Sequence, residues 1–135
     1  MTDLIRIANC SGYYGDKLSA AKEMVEGGPI DVLTGDYLAE LTMAILYGQK
    51  IQRGDDKGYV GTFLKQIKEV AASCKEKKIK IVSNAGGLNP KSMAAEIEKI
   101  LNELSIDLKV AYIDGDDLIP RIPELKKKWR RILKY

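Results

Sequence analysis

The stretch of sequence richest in potential chemistry is Ser-Asn-Ala-Gly-Gly-Leu-Asn-Pro, at residues 83–90. Gly86 and Gly87 lie between a predicted strand and a predicted helix, where paired glycines can present several backbone N–H groups to an anion or an oxyanion. Asn84 and Asn89 can hydrogen-bond a carbonyl or an amide of a ligand. The alternative is a tight turn in which Asn89 caps the helix. Two consecutive glycines exceed what such a turn needs, so the pattern favours a ligand site.

Carboxylates are concentrated in two further stretches. Asp36 and Glu40 lie four residues apart, on one face of a predicted helix, where they could hold a metal ion or share a proton. The spacing alone favours a simpler interpretation, in which Asp36 caps the helix and Glu40 interacts with the positive end of its dipole. Asp114, Asp116 and Asp117 suit Mg²⁺ or a general base, and they suit a solvated acidic turn equally well.

Another polar stretch begins at Asn9 and precedes a predicted helix N-terminus. Gly12 would let the backbone approach a ligand closely, and Asn9 and Ser11 are small polar residues beside it. The stretch is neither a Walker loop nor a G-x-G-x-x-G fingerprint, so support for nucleotide binding is weak. A turn followed by an Asp16 cap explains it as well. Cys10 is either a nucleophile or, more commonly for a lone cysteine after a strand, a small core residue.

Composition excludes several kinds of chemistry. The 135 residues include no histidine, which excludes a His-containing triad, a His-ligated zinc site and an imidazole base within this chain. The 2 cysteines are far apart and form neither a disulfide framework nor a zinc ribbon. No apolar run approaches the ~20 residues of a membrane span. The first residues lack the basic-then-apolar pattern of a signal peptide, so we expect a cytoplasmic protein without a membrane partner.

Four short apolar segments, at residues 4–8, 30–34, 79–83 and 108–113, have the pattern of β-strands separated by amphipathic helices. Helical connections between strands imply right-handed crossovers and a parallel sheet. We therefore predict an α/β fold: a three-layer, Rossmann-like, doubly wound parallel sheet of about four strands in a single domain. The polar stretches follow the carboxyl ends of these strands, where such sheets bind ligands.

Charge is distributed unevenly along the chain. Residues 121–135 carry seven Lys or Arg and one Glu, whereas residues 1–120 carry fifteen Lys or Arg and eighteen Asp or Glu. We predict an α/β domain over residues 1–120 and a basic amphipathic helix over residues 121–135, packed on the domain through Leu125, Trp129, Ile132 and Leu133. The basic face of the helix is then solvated, and nucleic-acid binding is disfavoured.

Four stretches together resemble the N-terminal part of the acyclic terpene utilisation (AtuA-type) family. They are Asn-Cys-Ser-Gly-Tyr-Tyr-Gly-Asp from Asn9, Asp-Val-Leu-Thr-Gly-Asp-Tyr-Leu-Ala-Glu-Leu-Thr-Met from Asp31, Ser-Asn-Ala-Gly-Gly-Leu-Asn-Pro from Ser83, and Gly-Asp-Asp-Leu-Ile-Pro from Gly115. The resemblance runs from about residue 5 to about residue 124, most of the chain, and stops just after Pro120; members of that family are much longer than this chain. It therefore implies either half of a split enzyme or a free-standing domain that has lost part of the activity.

The resemblance implies a role in the catabolism of branched, terpene-like or leucine-like carbon skeletons carried as acyl-CoA thioesters. We expect an enzyme or enzyme subunit for which a CoA thioester is the substrate rather than a cofactor. Gly86 and Gly87, with Asn84, would bind phosphate or stabilise an enolate-like oxygen. Asp36 or Asp116 would serve as the base or as a metal ligand.

The remaining predicted roles are supporting ones. Asn9 and Ser11 would orient the substrate, and the other predicted ligand-binding residues are Gly12, Gly35 and Asn89. Asp116 and Asp117 would hold Mg²⁺ if a metal takes part. The expected partner is a second copy of the chain or a second polypeptide. The alternative from another class is a non-catalytic assembly subunit whose loops complete a partner's site.

Overall fold

The computed structural model describes residues 4–132, with side chains as far as Trp129, as strands alternating with helices. The strands are β1 (Ile7–Asn9), β2 (Val32–Gly35) and β3 (Lys80–Ser83). The helices are α1 (Ala20–Gly27), α2 (Glu40–Arg53), α3 (Gly61–Lys77), α4 (Pro90–Glu103) and α5 (Ile122–Ile132), with a 3-10 turn at Ile119–Arg121 before α5.

The three strands form one parallel sheet in the order β1-β2-β3. Ala8 lies beside Leu33 and Leu33 beside Ile81, so these side chains point to the same face. The Asp31 carboxylate accepts a hydrogen bond from the Arg6 backbone N–H at 2.8 Å and two from its guanidinium, each at 3.0 Å. This bidentate pair fastens the start of β1 to β2 at the amino end of the sheet.

The helices that pack on the sheet lie on one face of it. Each crossover moves the chain by one strand in the same direction, and right-handed crossovers in one direction place their helices on the same side. Helix α3 packs between α1 and α4. Its apolar residues recur at helical spacing and so form one face that is buried against the core. The core beneath this layer has an α1 side (Cys10, Ala21, Val25, Leu33, Val70, Cys74, Ile79) and an α4 side (Tyr37, Leu46, Phe63, Ile67, Met93, Ile97, Leu101).

The predicted α/β class, with a parallel Rossmann-like sheet, is confirmed, but the number of strands differs. Over residues 4–132 the sheet has three strands rather than about four, because the segment at residues 108–113 pairs with no strand. Within this segment Val110 packs against the core through its side chain, whereas Leu108, Tyr112 and Ile113 are exposed. The strand order never reverses within the described chain, so the helices that pack on the sheet form one layer rather than the two of a doubly wound sheet.

The opposite face of the sheet is exposed. On its outer strands, Ile7 of β1 and Val82 of β3 are 65% and 61% exposed. We call this surface the bare sheet face; its residues, which alternate with the buried ones, are Ile7, Asn9, Val32, Thr34, Lys80 and Val82.

Helix α5 packs mainly against the 3-10 turn that precedes it. Its Trp129 is 60% exposed, and Leu125 is half-buried. The side chains of Ile132 and Leu133 lie outside the described residues, so the packing of this helix on the domain stays a prediction.

Candidate functional site

The carboxyl ends of β2 and β3 bring Asp36 and Asn84 together. The Asn84 Nδ2 amide donates to Asp36 Oδ1 at 2.6 Å, and Asn84 Oδ1 accepts the backbone N–H of Tyr37 at 2.9 Å. The Leu38 N–H also donates to Asp36 Oδ1, at 3.3 Å. Both hydrogen bonds to this carboxylate use Oδ1, so Oδ2 of an exposed, fixed carboxylate remains available to a ligand.

Asp36 does not cap α2, so the interpretation that the spacing favours is wrong. The helix begins at Glu40, and the residue at its N-cap position, Ala39, makes no side-chain cap. The loop from Asp36 to Ala39 is not helical, because Asn84 fixes Asp36 at the sheet edge. Asp36 and Glu40 therefore do not share a helical face, while Glu40 does lie in the first turn of α2.

Residues of the first loop extend the same network. The Asn9 amide donates to the Ser11 carbonyl at 2.9 Å, and the Thr34 hydroxyl donates to Asn9 Oδ1 at 3.2 Å. The backbone N–H of Asp36 donates to the Ser11 carbonyl at 3.0 Å, and the buried Ser11 hydroxyl donates to the Tyr13 carbonyl at 3.0 Å. Asn9 and Ser11 thus hold the loop that supports Asp36.

Gly12 and Gly35 allow close backbone contacts in this network. The Gly12 N–H donates to Asp16 at 2.9 Å, and together with the Lys17 N–H it holds the pKa of the Asp16 carboxyl below its usual range. A Cβ on Gly35 would lie 2.6 Å from the Tyr37 ring, so glycine here makes room for that ring.

The turn around Gly86 and Gly87 has a packing reason for each glycine. A Cβ on Gly86 would lie 2.7 Å from the Pro90 side chain. Gly87 has φ +53°, and a Cβ there would lie 2.5 Å from Leu46 Cδ1. The Gly87 N–H donates to the Asn84 carbonyl at 3.1 Å, so it is not available to an oxyanion in this conformation.

Asn89 acts as the predicted cap of α4 and also joins two loops. Its Oδ1 accepts the Ser92 N–H at 3.2 Å, and Pro90 is the first residue of the helix. Its Nδ2 donates to the carbonyls of Asp55 at 2.8 Å and Lys57 at 3.1 Å. Asn89 therefore positions the turn rather than presenting free polar atoms.

Beside this turn lies a groove of about 450 Å³, which we call the strand-end groove. It is lined by Met43, residues 87–91, residues 114–119 and Ile122. Asp116 and Asp117 are on its walls, and Asp117 Oδ1 accepts the Ile119 N–H at 3.0 Å. The other walls are mainly apolar, so the groove offers carboxylates beside hydrocarbon surface.

Within residues 4–132, no group of three or more Cys, Asp or Glu side chains is placed to hold a metal ion. The carboxylates that the structure brings to the groove are those of residues 114–117. Magnesium binding by Asp116 and Asp117 therefore stays a prediction.

A buried network beneath the site involves residues that sequence reasoning did not single out. The Tyr37 hydroxyl hydrogen-bonds Gln66 Oε1, and Gln66 Nε2 donates to the Leu18 carbonyl at 3.3 Å. Burial raises the pKa of Tyr37, and burial also raises the pKa of Cys10, whose Sγ lies 3.8 Å from the Tyr37 hydroxyl. The available signal was Gln66 itself, a polar residue on the apolar stripe of α3 next to Ile67.

The predicted site residues fall into two neighbouring groups. Asn9, Ser11, Gly12, Gly35, Asp36 and Asn84 belong to the hydrogen-bonded sheet edge, whereas Gly87, Asn89, Asp116 and Asp117 line the strand-end groove. The turn from Asn84 to Gly87 connects the two groups, and Gly86 lies within that turn against Pro90.

A parallel α/β domain with its polar loops at the carboxyl ends of the strands defines a small Rossmann-like protein with a strand-end site. The family model described as "Acyclic terpene utilisation family protein AtuA" matches residues 5–134, and the chain belongs to that family. Membership indicates involvement in acyclic terpene utilisation. No curated protein and no solved structure has a significant match.

The family match extends further than the four motifs indicate. Because it reaches residue 134, the expectation that the resemblance stops just after Pro120 is wrong. The basic segment that contains α5 is therefore part of the matched region. Among the residues that the structure describes, no helix is both long enough and apolar enough to span a membrane.

Proposed function

We propose that the protein is an enzyme, or one subunit of a split enzyme, that acts on branched, terpene-like carboxylates as acyl-CoA thioesters. The observation that carries this proposal is the strand-end groove, where Met43, Leu88, Ile119 and Ile122 provide apolar walls beside carboxylates. Burying a branched hydrocarbon chain against such walls contributes about 25 cal/mol per Å² of apolar surface. Family membership supports the substrate class.

Asp36 is the proton acceptor in this proposal. Its Oδ1 is fixed by Asn84, which leaves Oδ2 to take a proton from the carbon next to the thioester carbonyl. The enolate-like oxygen so formed needs hydrogen-bond donors. Asn84 Nδ2 has a second hydrogen that can serve as this donor, whereas the Gly87 N–H is occupied and Gly86 is buried within the turn.

Asp116 is the alternative base, or a metal ligand together with Asp117. Mg²⁺ usually takes one or two carboxylates and completes its shell with water or substrate oxygens, so this pair in the groove wall suits it. A bound Mg²⁺ would supply positive charge to the substrate's oxygens.

The test is calorimetric titration of the protein with isovaleryl-CoA, n-butyryl-CoA and free CoA, with and without Mg²⁺. We expect the branched ester to bind most tightly and Ile119→Asp to weaken that binding at least 10-fold, because a carboxylate in an apolar wall loses its hydration when the ligand enters. Ile51→Asp is the matched control, because Ile51 is 68% exposed on α2 and does not line the groove.

The base is tested separately from the groove. Asp36→Asn should change the affinity for the branched ester by less than about 3-fold. It should abolish the exchange of the ester's α-hydrogen with deuterium, which NMR follows. Equal binding of all three CoA compounds, or groove binding indifferent to Ile119→Asp, contradicts the proposal.

A second candidate function, the non-catalytic assembly subunit, is favoured by the exposed apolar side chains of α2, which include Leu41 and Ile51. Native mass spectrometry of protein purified gently from its source discriminates the two. A stoichiometric second polypeptide, with CoA esters bound in its presence alone, supports the assembly role; ester binding by the isolated chain supports the enzyme.

A further inference from the structure

The sheet lacks a layer on one side. Parallel sheets are almost always covered on both faces, because their helical crossovers lie on both sides. On the bare sheet face the side chains of Ile7 and Val82 are mostly exposed to solvent, and Val32 on the strand between them is half-buried. Residues 4–132 supply no element that covers this face in the chain itself.

Helix α5, in turn, lacks a surface that covers its apolar side. Ile122, Leu125 and Trp129 lie at helical spacing and form an apolar stripe, while the intervening residues are mostly Lys. An isolated helix of 11 residues is marginal in water and needs a surface to pack on. Its length of ~16 Å matches a three-stranded sheet, which is ~14 Å across at the usual strand spacing.

The position of Ile122 keeps α5 of the same chain from this role. Ile122 lines the strand-end groove together with Met43 and Leu88, which places the start of the helix at the carboxyl end of the sheet rather than over its bare face. A second copy is not restricted in this way. Between two copies, long-range attraction acts from the basic segment of one, residues 121–135 with a net charge of +6 (seven basic, one acidic), toward the body of the other, residues 1–120 with a net charge of −3 (fifteen basic, eighteen acidic). The contact on the bare sheet face itself is apolar, because its single charged residue, Lys80, has the same sign as the helix.

We propose that α5 of one copy covers the bare sheet face of a second copy, with Trp129 against Ile7 and Val82, and that the exchange is reciprocal in a two-fold symmetric dimer. Each copy thereby completes the missing layer of the other. This inference goes beyond the proposed function, since it requires neither a ligand nor a reaction.

The single tryptophan of the chain is Trp129, so its fluorescence reports this contact directly. We expect the emission of the full chain to move to shorter wavelength as concentration rises, in step with a change from monomer to dimer in sedimentation velocity. Blue-shifted emission from a monomer at every dilution means that α5 packs on its own chain. Red-shifted emission at every concentration means that nothing covers it. Either result overturns the proposal.

Variants on the two surfaces test the reciprocity. Val82→Asp and Trp129→Asp should each weaken dimerisation at least 10-fold, whereas Ile51→Asp, equally exposed on α2, should leave it unchanged. Ile7→Asp is a second variant on the sheet, and circular dichroism checks that each variant is folded.

An equimolar mixture provides the sharpest discrimination. One copy with Val82→Asp and one with Trp129→Asp retain one intact helix-to-sheet contact between them. We therefore expect the mixture to form a heterodimer in native mass spectrometry at concentrations where each variant alone is monomeric. A mixture that stays monomeric, or a dimer that Ile51→Asp disrupts and Val82→Asp does not, contradicts the proposed interface.

Discussion

Tyr37 connects the exposed end of the sheet to the buried side of α3 through its hydrogen bond to Gln66. Tyr37→Phe removes the hydroxyl and leaves Gln66 Oε1 buried without a donor, which typically costs about 1–3 kcal/mol. We expect the free energy of unfolding, measured with urea, to fall by that amount. Tyr47→Phe, at a residue 54% exposed, should change it by less than about 0.5 kcal/mol. An equal loss in both variants contradicts the role of the buried hydroxyl.

A substitution at Gly87 tests whether the Gly86-Gly87 pair is needed for close packing. Gly87→Ala places a Cβ 2.5 Å from Leu46 and 2.9 Å from the Gly58 carbonyl, at φ +53°. The strain and overpacking together should cost about 2–4 kcal/mol of unfolding free energy. Gly48→Ala is the control: Gly48 lies inside α2 with open space around it, so alanine should stabilise by about 0.5–1 kcal/mol. A neutral Gly87→Ala variant would remove the packing explanation.

The two cysteines allow a chemical test of burial. Cys10 and Cys74 are both buried, and burial raises the pKa of both thiols, that of Cys74 to about 11. Because the thiolate is the reactive form, we expect neither to react with a thiol reagent in native protein at pH 7, and both to react in urea. Rapid labelling of Cys10 in the native state would revive its interpretation as a nucleophile.

At the scale of secondary-structure elements, the Arg6–Asp31 pair joins β1 to β2 and gives the sheet a pH dependence. The Arg6 hydrogen bonds hold the pKa of Asp31 at about 2, below its ordinary value of 3.8. A lowered pKa in the folded state stabilises above the ordinary value, and this contribution disappears as pH falls toward 2. We expect Asp31→Asn to lower the melting temperature at pH 6 and to match the unsubstituted protein near pH 2. Asp107→Asn, at an exposed residue just before the unpaired segment, is the control; a constant difference across this pH range contradicts the linkage.

The elements that local pattern determines were predictable from the sequence. The Asn89 cap with Pro90 depends on three or four consecutive residues, and the structure contains it. The segment at residues 108–113 has the composition of a strand, yet pairing requires a neighbouring edge that composition does not specify. The Asp36 cap failed because a residue 48 positions away, Asn84, binds the same carboxylate. For contacts between distant loops, the sequence predicted only that the loops would meet at the sheet edge. It did not predict which residues would bind each other.

At the scale of the whole molecule, the uneven charge predicts how two copies approach each other. If α5 binds the body of a second copy, long-range attraction should accelerate the encounter. Raising the salt from about 0.1 M to about 1 M shortens the Debye length from ~10 Å to ~3 Å. We expect the association rate, followed by stopped-flow Trp129 fluorescence, to fall at least 10-fold while the dissociation rate changes little, because apolar contacts hold the dimer. An association rate independent of salt contradicts charge steering.

The unidirectional order β1-β2-β3 also has a consequence for how the chain folds. Each strand pairs with the one before it, and the helices between them pack on the same side, so every new unit adds to an edge that already exists. No strand has to insert between two others, which keeps loop closure short and folding fast for a parallel sheet. The order of assembly can therefore follow the order of synthesis, with the amino-terminal unit providing the template while the ribosome is still making the rest.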